Sequence, residues 1–281
     1  MTPTFSQSVE TWSGKGRADE NFPVGSALIR PALRPHVHAF YALARNADDI
    51  ADSPDLAAPD KLARLATMEA VLAGQAPAEQ APSAAGLRAS LAETRVAPRH
   101  ALDLLAAFRQ DATKSRYATY AELLDYCRLS AMPVGRHVLD LHGEEPATHT
   151  PSDALCTALQ ILNHLQDGAK DLAALDRCYL PQDQLAAHGA TVQDLARPAE
   201  TPGLRHVFDT LLDHVDRLNA AAATLPIRVR DRRLRLECAV ILGLSRRLAR
   251  RLRAADPVAG RVKLLRQDVA TSLLSALRHA A

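Results

Sequence analysis

The sequence is short of several features that mark specialised classes of protein. It has only four cysteines, which lie far apart and form neither a CxxC pair nor a Cys/His set at zinc spacing: Cys127, Cys156, Cys178 and Cys238. We therefore expect reduced thiols in a cytoplasmic protein, and neither a disulfide scaffold nor a zinc domain. No run approaches the ~18 consecutive apolar residues of a membrane span. The polar N-terminal residues have no signal-peptide pattern.

The sequence also has little net charge, few glycines and few aromatic residues. The 281 residues carry 34 Lys and Arg against 32 Asp and Glu, so the net charge of +2 argues against general nucleic-acid binding. With only 12 glycines, 4% aromatics and no convincing strand pattern, the abundant alanine and leucine predict an all-α chain. We expect one domain over 1–281, with 1–19 as a flexible segment. The predicted helices span about 31–53, 59–73, 84–94, 98–112, 119–142, 151–173, 181–188, 203–224, 228–254 and 265–279.

The first chemically informative segment is Tyr41-x-x-x-Arg45-x-x-Asp48-Asp49-x-x-Asp52. On a helix, Tyr41, Arg45, Asp48 and Asp52 share one narrow stripe, with Asp49 at its margin. Neighbouring carboxylates repel one another, so this stripe requires a cation to compensate.

The second segment is Gln160-x-x-Asn163-x-x-x-Asp167-x-x-x-Asp171, again a stripe of oxygen ligands on a helix that is otherwise apolar. Either stripe alone is typical of a solvated helix face. Two of them, facing each other across a helical bundle, would supply the all-oxygen ligands that Mg²⁺ prefers. Their joint occurrence favours a magnesium site.

At these residues the chain resembles the squalene/phytoene synthase family. Phe40–Asp52 and Leu159–Asp171 match the family's two Asp-rich helices. Between them, Tyr126–Gly135 resembles its Tyr/Ala/Val-Gly helix, and Tyr179–Pro181 resembles its turn after the second helix. The four motifs occur in the family's order. The resemblance implies a helical bundle of the isoprenoid synthase type with a central apolar cavity.

Finer matches indicate the bacterial hydroxysqualene synthase branch of that family. Glu20–Val24, Phe108–Tyr117 and Ala131–Arg136 resemble this branch, as does Gln166, which stands where squalene and phytoene synthases usually have arginine. Leu129-Ser-Ala-Met replaces the Tyr-x-Ala-Gly-type segment of the other branches. The resemblance implies conversion of presqualene diphosphate to hydroxysqualene in hopanoid biosynthesis, with release of diphosphate.

The resemblance also implies a set of site residues in which Mg²⁺ holds the diphosphate. Diphosphate leaves as a polyanion, and its departure in a low-dielectric cavity requires cations that take up the charge. The implied metal ligands are Asp48, Asp49, Asp52, Asn163, Asp167 and Asp171. We expect Arg45 and Arg261 to contact diphosphate oxygens. Gln160, Asn163 and Gln166 are expected beside the substrate.

An apolar wall and two tyrosines complete the expected site. The candidate wall residues for two farnesyl-derived tails are Phe22, Ala131, Val134 and Leu159. Ordinary core packing explains these four equally well. Tyr41 and Tyr126 are expected to stabilise cationic carbon with their rings or to orient water with their hydroxyls. The alternative for each is a tyrosine whose hydroxyl is bonded within the core.

Two other functions, and the role of a basic segment, stay open on the sequence alone. The chain could instead condense farnesyl diphosphate head to head into presqualene diphosphate, squalene or phytoene. It could also be a catalytically silent relative that acts as an assembly or binding factor, although such a relative has no need of self-repelling carboxylates. Ten arginines in 228–253, with Lys263 and Arg266, fit either a solvated face or peripheral contact with anionic lipid. Other enzymes of the squalene and hopanoid pathway are possible partners.

Overall fold

The structure, a computed structural model, describes residues 8–10 and 28–276. It is predominantly helical, which confirms the predicted all-α class. Within those residues the regular β structure is one pair of short parallel strands, β1 (Arg116–Tyr117) and β2 (Cys178–Pro181), which the sequence pattern did not predict. None of the described helices combines the length and apolarity needed to cross a membrane. Phe22 and nearly all of the segment 1–19 lie outside the described residues.

The helices occur where the apolar periodicity predicts them, with some differences in extent. Their bounds are α1 (Arg34–Asp52), α2 (Ala58–Leu72), α3 (Pro82–Thr94), α4 (Arg99–Asp111), α5 (Tyr120–Ser130), α6 (Met132–Leu141), α7 (His149–Leu175), α8 (Gln182–Ala187), α9 (Pro202–Ala221), α10 (Leu225–Arg228), α11 (Arg232–Ala254) and α12 (Arg266–Ala276).

Two of the predicted helices are wrong in extent. The predicted helix 119–142 is broken at Ala131 into α5 and α6, because Pro133 has no N–H to donate and its ring clashes with a continuing helix. The predicted helix 228–254 begins only at Arg232, because the Asp231 carboxylate accepts hydrogen bonds from the backbone N–H groups of Arg233 and Leu234 and caps α11 there.

The chain divides into two compact units, each with its own buried residues. Unit 1 comprises Met1–Lys114 and Arg136–Gly143, and unit 2 comprises Ser115–Gly135 and Glu144–Ala281. The single-domain interpretation of 1–281 stays a prediction.

In unit 1, α1 packs against α2, α3 and α4 through one apolar face. Leu43, Ala47 and Ile50 recur at three- and four-residue spacing and are completely buried. Burial of this face fixes the rotation of α1 about its axis. The stripe of Tyr41 and Arg45 therefore occupies a different face, where both side chains are only partly buried.

In unit 2, α7 is the central helix and packs against α5, α9 and α11. The start of α6 approaches α7 closely at Gly135, where an added Cβ would lie 2.4 Å from Ser152 Oγ and 2.6 Å from Cys156 Sγ. Only glycine fits at this approach. At the other end of α7, Asp176 adopts a left-handed conformation that ends the helix, and β2 follows.

Candidate active site

The acidic stripe of α1 in unit 1 is organised around one guanidinium group. Arg45 Nη2 lies 2.5 Å from Asp48 Oδ2 and 2.5 Å from Asp49 Oδ1, and Arg45 Nε donates a 3.1 Å hydrogen bond to the same Asp49 oxygen. Asp49 is almost completely buried, whereas 32% of the Asp48 side chain is exposed. Asp49 therefore provides the more deeply buried anchor for Arg45, and Asp48 makes the second contact with the same guanidinium group.

The carboxyl group of Asp48 carries a strongly perturbed pKa. Burial, with the neighbouring carboxylates of Asp52, Asp111 and Asp49, raises this pKa to about 7, and Arg45 offsets only part of the effect. Asp111 ends α4 and is buried beside the stripe. The sequence analysis missed Asp111 as a site residue, although it lies in the segment Phe108–Tyr117 that carries part of the resemblance.

The acidic stripe of α7 in unit 2 is joined to the segment that precedes α12. The Arg261 guanidinium makes a two-point contact with Asp167, with Nε 2.8 Å from Oδ1 and Nη2 2.9 Å from Oδ2. One residue away, Gln166 donates a hydrogen bond from Nε2 to the backbone carbonyl of Val262. The structure thus brings Arg261 to the second stripe, and its expected contact with diphosphate stays a prediction. The two neighbouring side chains Gln166 and Asp167 hold the segment 261–262 against α7.

A cluster of aromatic rings lies beside the second stripe within unit 2. The ring of His164 stacks on that of Tyr179, with centroids 3.7 Å apart, and Tyr126 lies next to both. The hydroxyl groups of Tyr126 and Tyr179 are 3.4 Å apart, and Arg177 Nη1 donates to the Tyr179 hydroxyl. Gln160 Nε2 lies 3.2 Å from His164 Nε2. The rings and hydroxyl groups therefore form one connected polar and aromatic patch.

His164, Tyr179 and Arg177 had no assigned role in the sequence analysis. Burial, together with the charge of Arg177, lowers the pKa of His164 to about 3, so the imidazole is neutral at ordinary pH. The available signal was the position of His164 beside Asn163 and of Tyr179 after the helix end. A periodic pattern does not reveal that these two residues stack.

The remaining predicted site residues have varied surroundings. Asn163 and Asp171 are partly buried on α7, as are Gln160 and Leu159. Ala131 is buried at the break between α5 and α6. Val134 is 41% exposed and is therefore not packed in a core. The roles of these side chains as ligands or cavity walls stay predictions.

The side chains of both stripes suit Mg²⁺ by their chemistry. Within residues 8–10 and 28–276, no three His, Cys, Asp or Glu side chains form a ready metal cluster. Mg²⁺ does not need one, since it is usually held by one or two carboxylates and fills its other positions with water and substrate phosphate oxygens. The donors are carboxylate and amide oxygens, and crowding around Asp48 leaves that carboxyl group short of positive charge. On this test, the residues fit the ion.

Comparison with known proteins decides the family. A family model described as squalene/phytoene synthase matches residues 15–268. The chain belongs to the squalene/phytoene synthase family. It is 48% identical over 255 residues to a hydroxysqualene synthase of Rhodopseudomonas palustris, covering 91% of this chain and 87% of that protein. It is 44% identical over 246 residues to a hydroxysqualene synthase of Sinorhizobium fredii, covering 88% and 84%.

A solved structure of the same family has the same fold. The crystal structure of squalene synthase HpnC from Alicyclobacillus acidocaldarius aligns with a TM-score of 0.73 and 32% identity, covering 85% of this chain and 90% of that one. The predicted isoprenoid synthase fold is confirmed. So is the prediction of a hydroxysqualene synthase-like enzyme, by the family match and the relatives together.

Proposed function

We propose that this enzyme converts presqualene diphosphate to hydroxysqualene, with Mg²⁺ as its cofactor. The observation that carries the proposal is the 48% identity to a hydroxysqualene synthase over 91% of the chain. The motifs that carry the family resemblance include both acidic stripes and Gln166, the residues to which the proposal assigns the chemistry. In this reaction water is consumed and diphosphate is released, and the proposal includes a role in squalene and hopanoid biosynthesis.

The two stripes and two arginines bind the diphosphate in this proposal. The expected ligands of Mg²⁺ are Asp48, Asp49, Asp52, Asn163, Asp167 and Asp171. When bound, Mg²⁺ would neutralise the charge that develops on the departing diphosphate. Asp49 holds the Arg45 guanidinium in place and Asp167 holds that of Arg261, so each guanidinium group is already oriented when phosphate oxygens approach it.

The remaining residues handle the cation and the water. As the C–O bond breaks, its electron pair leaves with the diphosphate, and a cyclopropylcarbinyl cation remains and rearranges. A water oxygen then donates a lone pair to the cationic carbon and loses a proton, which gives the alcohol. The faces of Tyr41 and Tyr126 would stabilise the cation. The Tyr126 hydroxyl, positioned by Tyr179 and Arg177, would orient the water.

A second candidate function is head-to-head condensation of farnesyl diphosphate to presqualene diphosphate, squalene or phytoene. It is favoured by one observation, the name squalene synthase given to the structural relative from Alicyclobacillus acidocaldarius. A silent assembly factor is disfavoured, because a protein without catalysis has no use for carboxylates as crowded as those around Asp48. Contact with the membrane surface and with other enzymes of the pathway belongs to the proposal, since substrate and product are both lipids.

Product analysis tests the proposal directly. Purified protein is incubated with Mg²⁺ and either presqualene diphosphate or farnesyl diphosphate, each with and without NADPH. We expect hydroxysqualene from presqualene diphosphate whether or not NADPH is present, and no product from farnesyl diphosphate. Squalene that appears only with NADPH, or presqualene diphosphate formed from farnesyl diphosphate, would establish the second candidate instead. Absence of turnover on both substrates would leave the silent relative.

A further inference from the structure

Helix α12 in unit 2 buries polar side chains and exposes large aliphatic ones. Its buried residues are Asp268, Ser272 and Ala276, at four-residue spacing, and they pack against α11. The Asp268 carboxylate accepts a 2.7 Å hydrogen bond from Arg251 Nε, and the Ser272 hydroxyl accepts one from Arg247 Nε. A helix on the surface of a soluble protein normally buries its apolar side chains and exposes the polar ones.

The exposed side of α12 carries an aliphatic stripe. Six large hydrophobic residues are exposed among residues 8–10 and 28–276, and four of them lie within 265–274: Leu265, Val269, Leu273 and Leu274. Leu265, Val269 and Leu273 are four residues apart and therefore form one stripe, with Leu274 beside it and 66% exposed. A contiguous apolar stripe of this kind indicates a surface that something else covers.

The charges around the stripe identify what covers it. Lys263 and Arg266 are exposed at the start of α12, and Arg250 is exposed in the last turns of α11, which lie alongside. Asp268, an acidic residue of α12, is buried against Arg251 and contributes little negative charge to this surface. An aliphatic stripe beside exposed basic side chains is the arrangement by which helices lie in the headgroup region of anionic bilayers.

A second copy of this chain fits the surface less well. One stripe on an 11-residue helix offers far less than the ~800 Å² per partner that stable protein interfaces bury. This small area favours a bilayer over a dimer.

We propose that the exposed face of α12 is a docking surface for anionic membranes. Leu265, Val269, Leu273 and Leu274 enter the headgroup region, and Lys263 and Arg266 pair with lipid phosphates. Because the segment 261–262 is held on α7 by Gln166 and Asp167, docking would bring the second acidic stripe near the bilayer surface. In this arrangement a prenyl chain would pass between bilayer and enzyme, and that use rests on the proposed function. The docking of α12 to the membrane does not depend on the proposed function.

Vesicle flotation without substrate tests the docking surface. The full-length protein is mixed with vesicles of phosphatidylcholine alone or of phosphatidylcholine with phosphatidylglycerol, at physiological and at high salt. We expect binding to the anionic vesicles only, and loss of binding at high salt. The double variant L273E/L274E should reduce the bound fraction at least tenfold. Lys263→Gln and Arg266→Gln should each weaken binding about fivefold.

Ile227→Glu is the matched control. Ile227 is 71% exposed in α10, which precedes the first turn of α11. Asp268 of α12 pairs with Arg251 near the last turn of α11, so Ile227 lies near the other end of that helix. This variant introduces one glutamate, against two in L273E/L274E, on an aliphatic residue about as exposed as Leu274, and should float like the wild type. Far-UV circular dichroism of all variants should match that of the wild type, since these side chains are exposed.

Several results would overturn the docking surface. These are a wild-type protein that does not float with anionic vesicles, equal loss of binding in Ile227→Glu, or a concentration-dependent dimer that L273E/L274E abolishes. Diphosphate release from detergent-solubilised presqualene diphosphate is measured in parallel. Failure of that reaction in the wild type, with vesicle binding intact, would count against the proposed function and leave the docking surface standing.

Discussion

At the scale of single residues, the two acidic stripes differ in how they are held. On α1, Arg45 contacts both Asp48 and Asp49 on its own helix, whereas on α7 Asp167 is paired with Arg261, which is 94 residues further along the chain. The first arrangement is visible in the sequence as i, i+3 and i, i+4 spacing. The second becomes visible only in the fold. In both stripes an arginine orders at least one of the carboxylates.

Replacement of a carboxylate in either stripe should stop catalysis and spare the fold. We expect Asp48→Ala and Asp167→Ala each to lower kcat by about 100-fold to 1000-fold, because a preorganised charge that serves the departing diphosphate is lost. Diphosphate release is the activity readout, and circular dichroism monitors the helices. Asp60→Ala, which removes an exposed carboxylate at the start of α2, serves as the control and should keep wild-type turnover. Near-normal turnover in both stripe variants would reject the metal assignment.

Tyr126 permits a separate test of how the cation is quenched. Tyr126→Phe keeps the ring in the aromatic cluster but removes the hydroxyl that lies 3.4 Å from that of Tyr179. If this hydroxyl orients the water, the ratio of alcohol to hydrocarbon products should fall roughly tenfold, the effect of one hydrogen bond worth about 1.4 kcal/mol. Diphosphate release should persist.

Tyr117→Phe provides the comparison for that variant, since Tyr117 is buried in the same cluster of rings. Its product ratio should equal that of the wild type. An unchanged ratio in Tyr126→Phe would show that this hydroxyl does not position the water and that its bond to Tyr179 serves packing.

At the scale of helices and strands, the features that the sequence predicted are those set by neighbouring residues along the chain. Apolar periodicity located the helices, and the α1 stripe followed from helical spacing alone. Pro133 and Asp231 carried signals for a helix break and a helix start, but the longer apolar patterns around them masked both signals. Strand β1 has two residues and exists through its pairing with β2 about 60 residues later, so no local pattern predicts it.

The contacts that only the fold reveals are those between distant segments. Asp111 reaches the first stripe from the end of α4, and Tyr179 meets His164 because β2 turns back along α7. The sequence analysis had assigned no role to His164. These residues complete the candidate site, and an account limited to helical stripes would omit them.

The close approach of α6 to α7 predicts an intolerance of any side chain at Gly135. Gly135→Ala would place a methyl group against Ser152 and Cys156, and we expect it to lower the free energy of unfolding by about 1–3 kcal/mol through overpacking. The matched change Gly86→Ala in α3 meets no atom within 4 Å and should be neutral or stabilise by up to ~1 kcal/mol. Urea unfolding of the two variants provides the comparison.

A partial recovery of stability would locate the cause of that loss. Gly135→Ala combined with Ser152→Ala and Cys156→Ala removes the two atoms that the methyl group would strike. In the chain that carries Ser152→Ala and Cys156→Ala, Gly135→Ala should lower the free energy of unfolding by less than it does in the wild-type chain. Equal stability of Gly135→Ala and Gly86→Ala would contradict the packing argument.

The packing of His137 in unit 1 predicts a specific dependence of stability on pH. Its ring stacks on Phe40 with centroids 3.9 Å apart, and neither ring nitrogen has a hydrogen-bond partner among the described residues. Burial, reinforced by His100 and His36 and opposed by Asp140, lowers the pKa of His137 to about 3. The unfolded chain therefore binds a proton between about pH 6.5 and pH 3 that the folded chain does not, and stability falls as the pH falls through this range.

His137→Phe should remove that loss while keeping the stack on Phe40. For a single histidine the loss amounts to about 1.4 kcal/mol at pH 5.5, so the stability of the variant relative to the wild type should rise by this amount between pH 7.5 and pH 5.5. His206→Leu, at an exposed position of α9, should follow the wild-type profile. Parallel profiles for His137→Phe and the wild type would show that His137 protonates in the folded state without penalty.

At the scale of the whole molecule, the family match and the fold determine the kind of enzyme, and the proposal adds its reaction. The similarity to hydroxysqualene synthases extends over about nine-tenths of the chain and includes both units. Neither acidic stripe suffices in our account, because each offers only part of the ligands that a magnesium-bound diphosphate requires. In the proposal both stripes bind the same diphosphate, so we expect loss of one stripe to be as damaging as loss of both.

Oxygen-18 labelling gives the most direct measurement of the central claim that this enzyme releases diphosphate and captures water. Presqualene diphosphate and Mg²⁺ are incubated with the wild-type protein in ¹⁸O-enriched water, and the products are analysed by mass spectrometry. We predict hydroxysqualene whose hydroxyl oxygen carries the solvent label, together with unlabelled diphosphate. A hydrocarbon as the main product, or an alcohol that retains the substrate oxygen, would contradict the account.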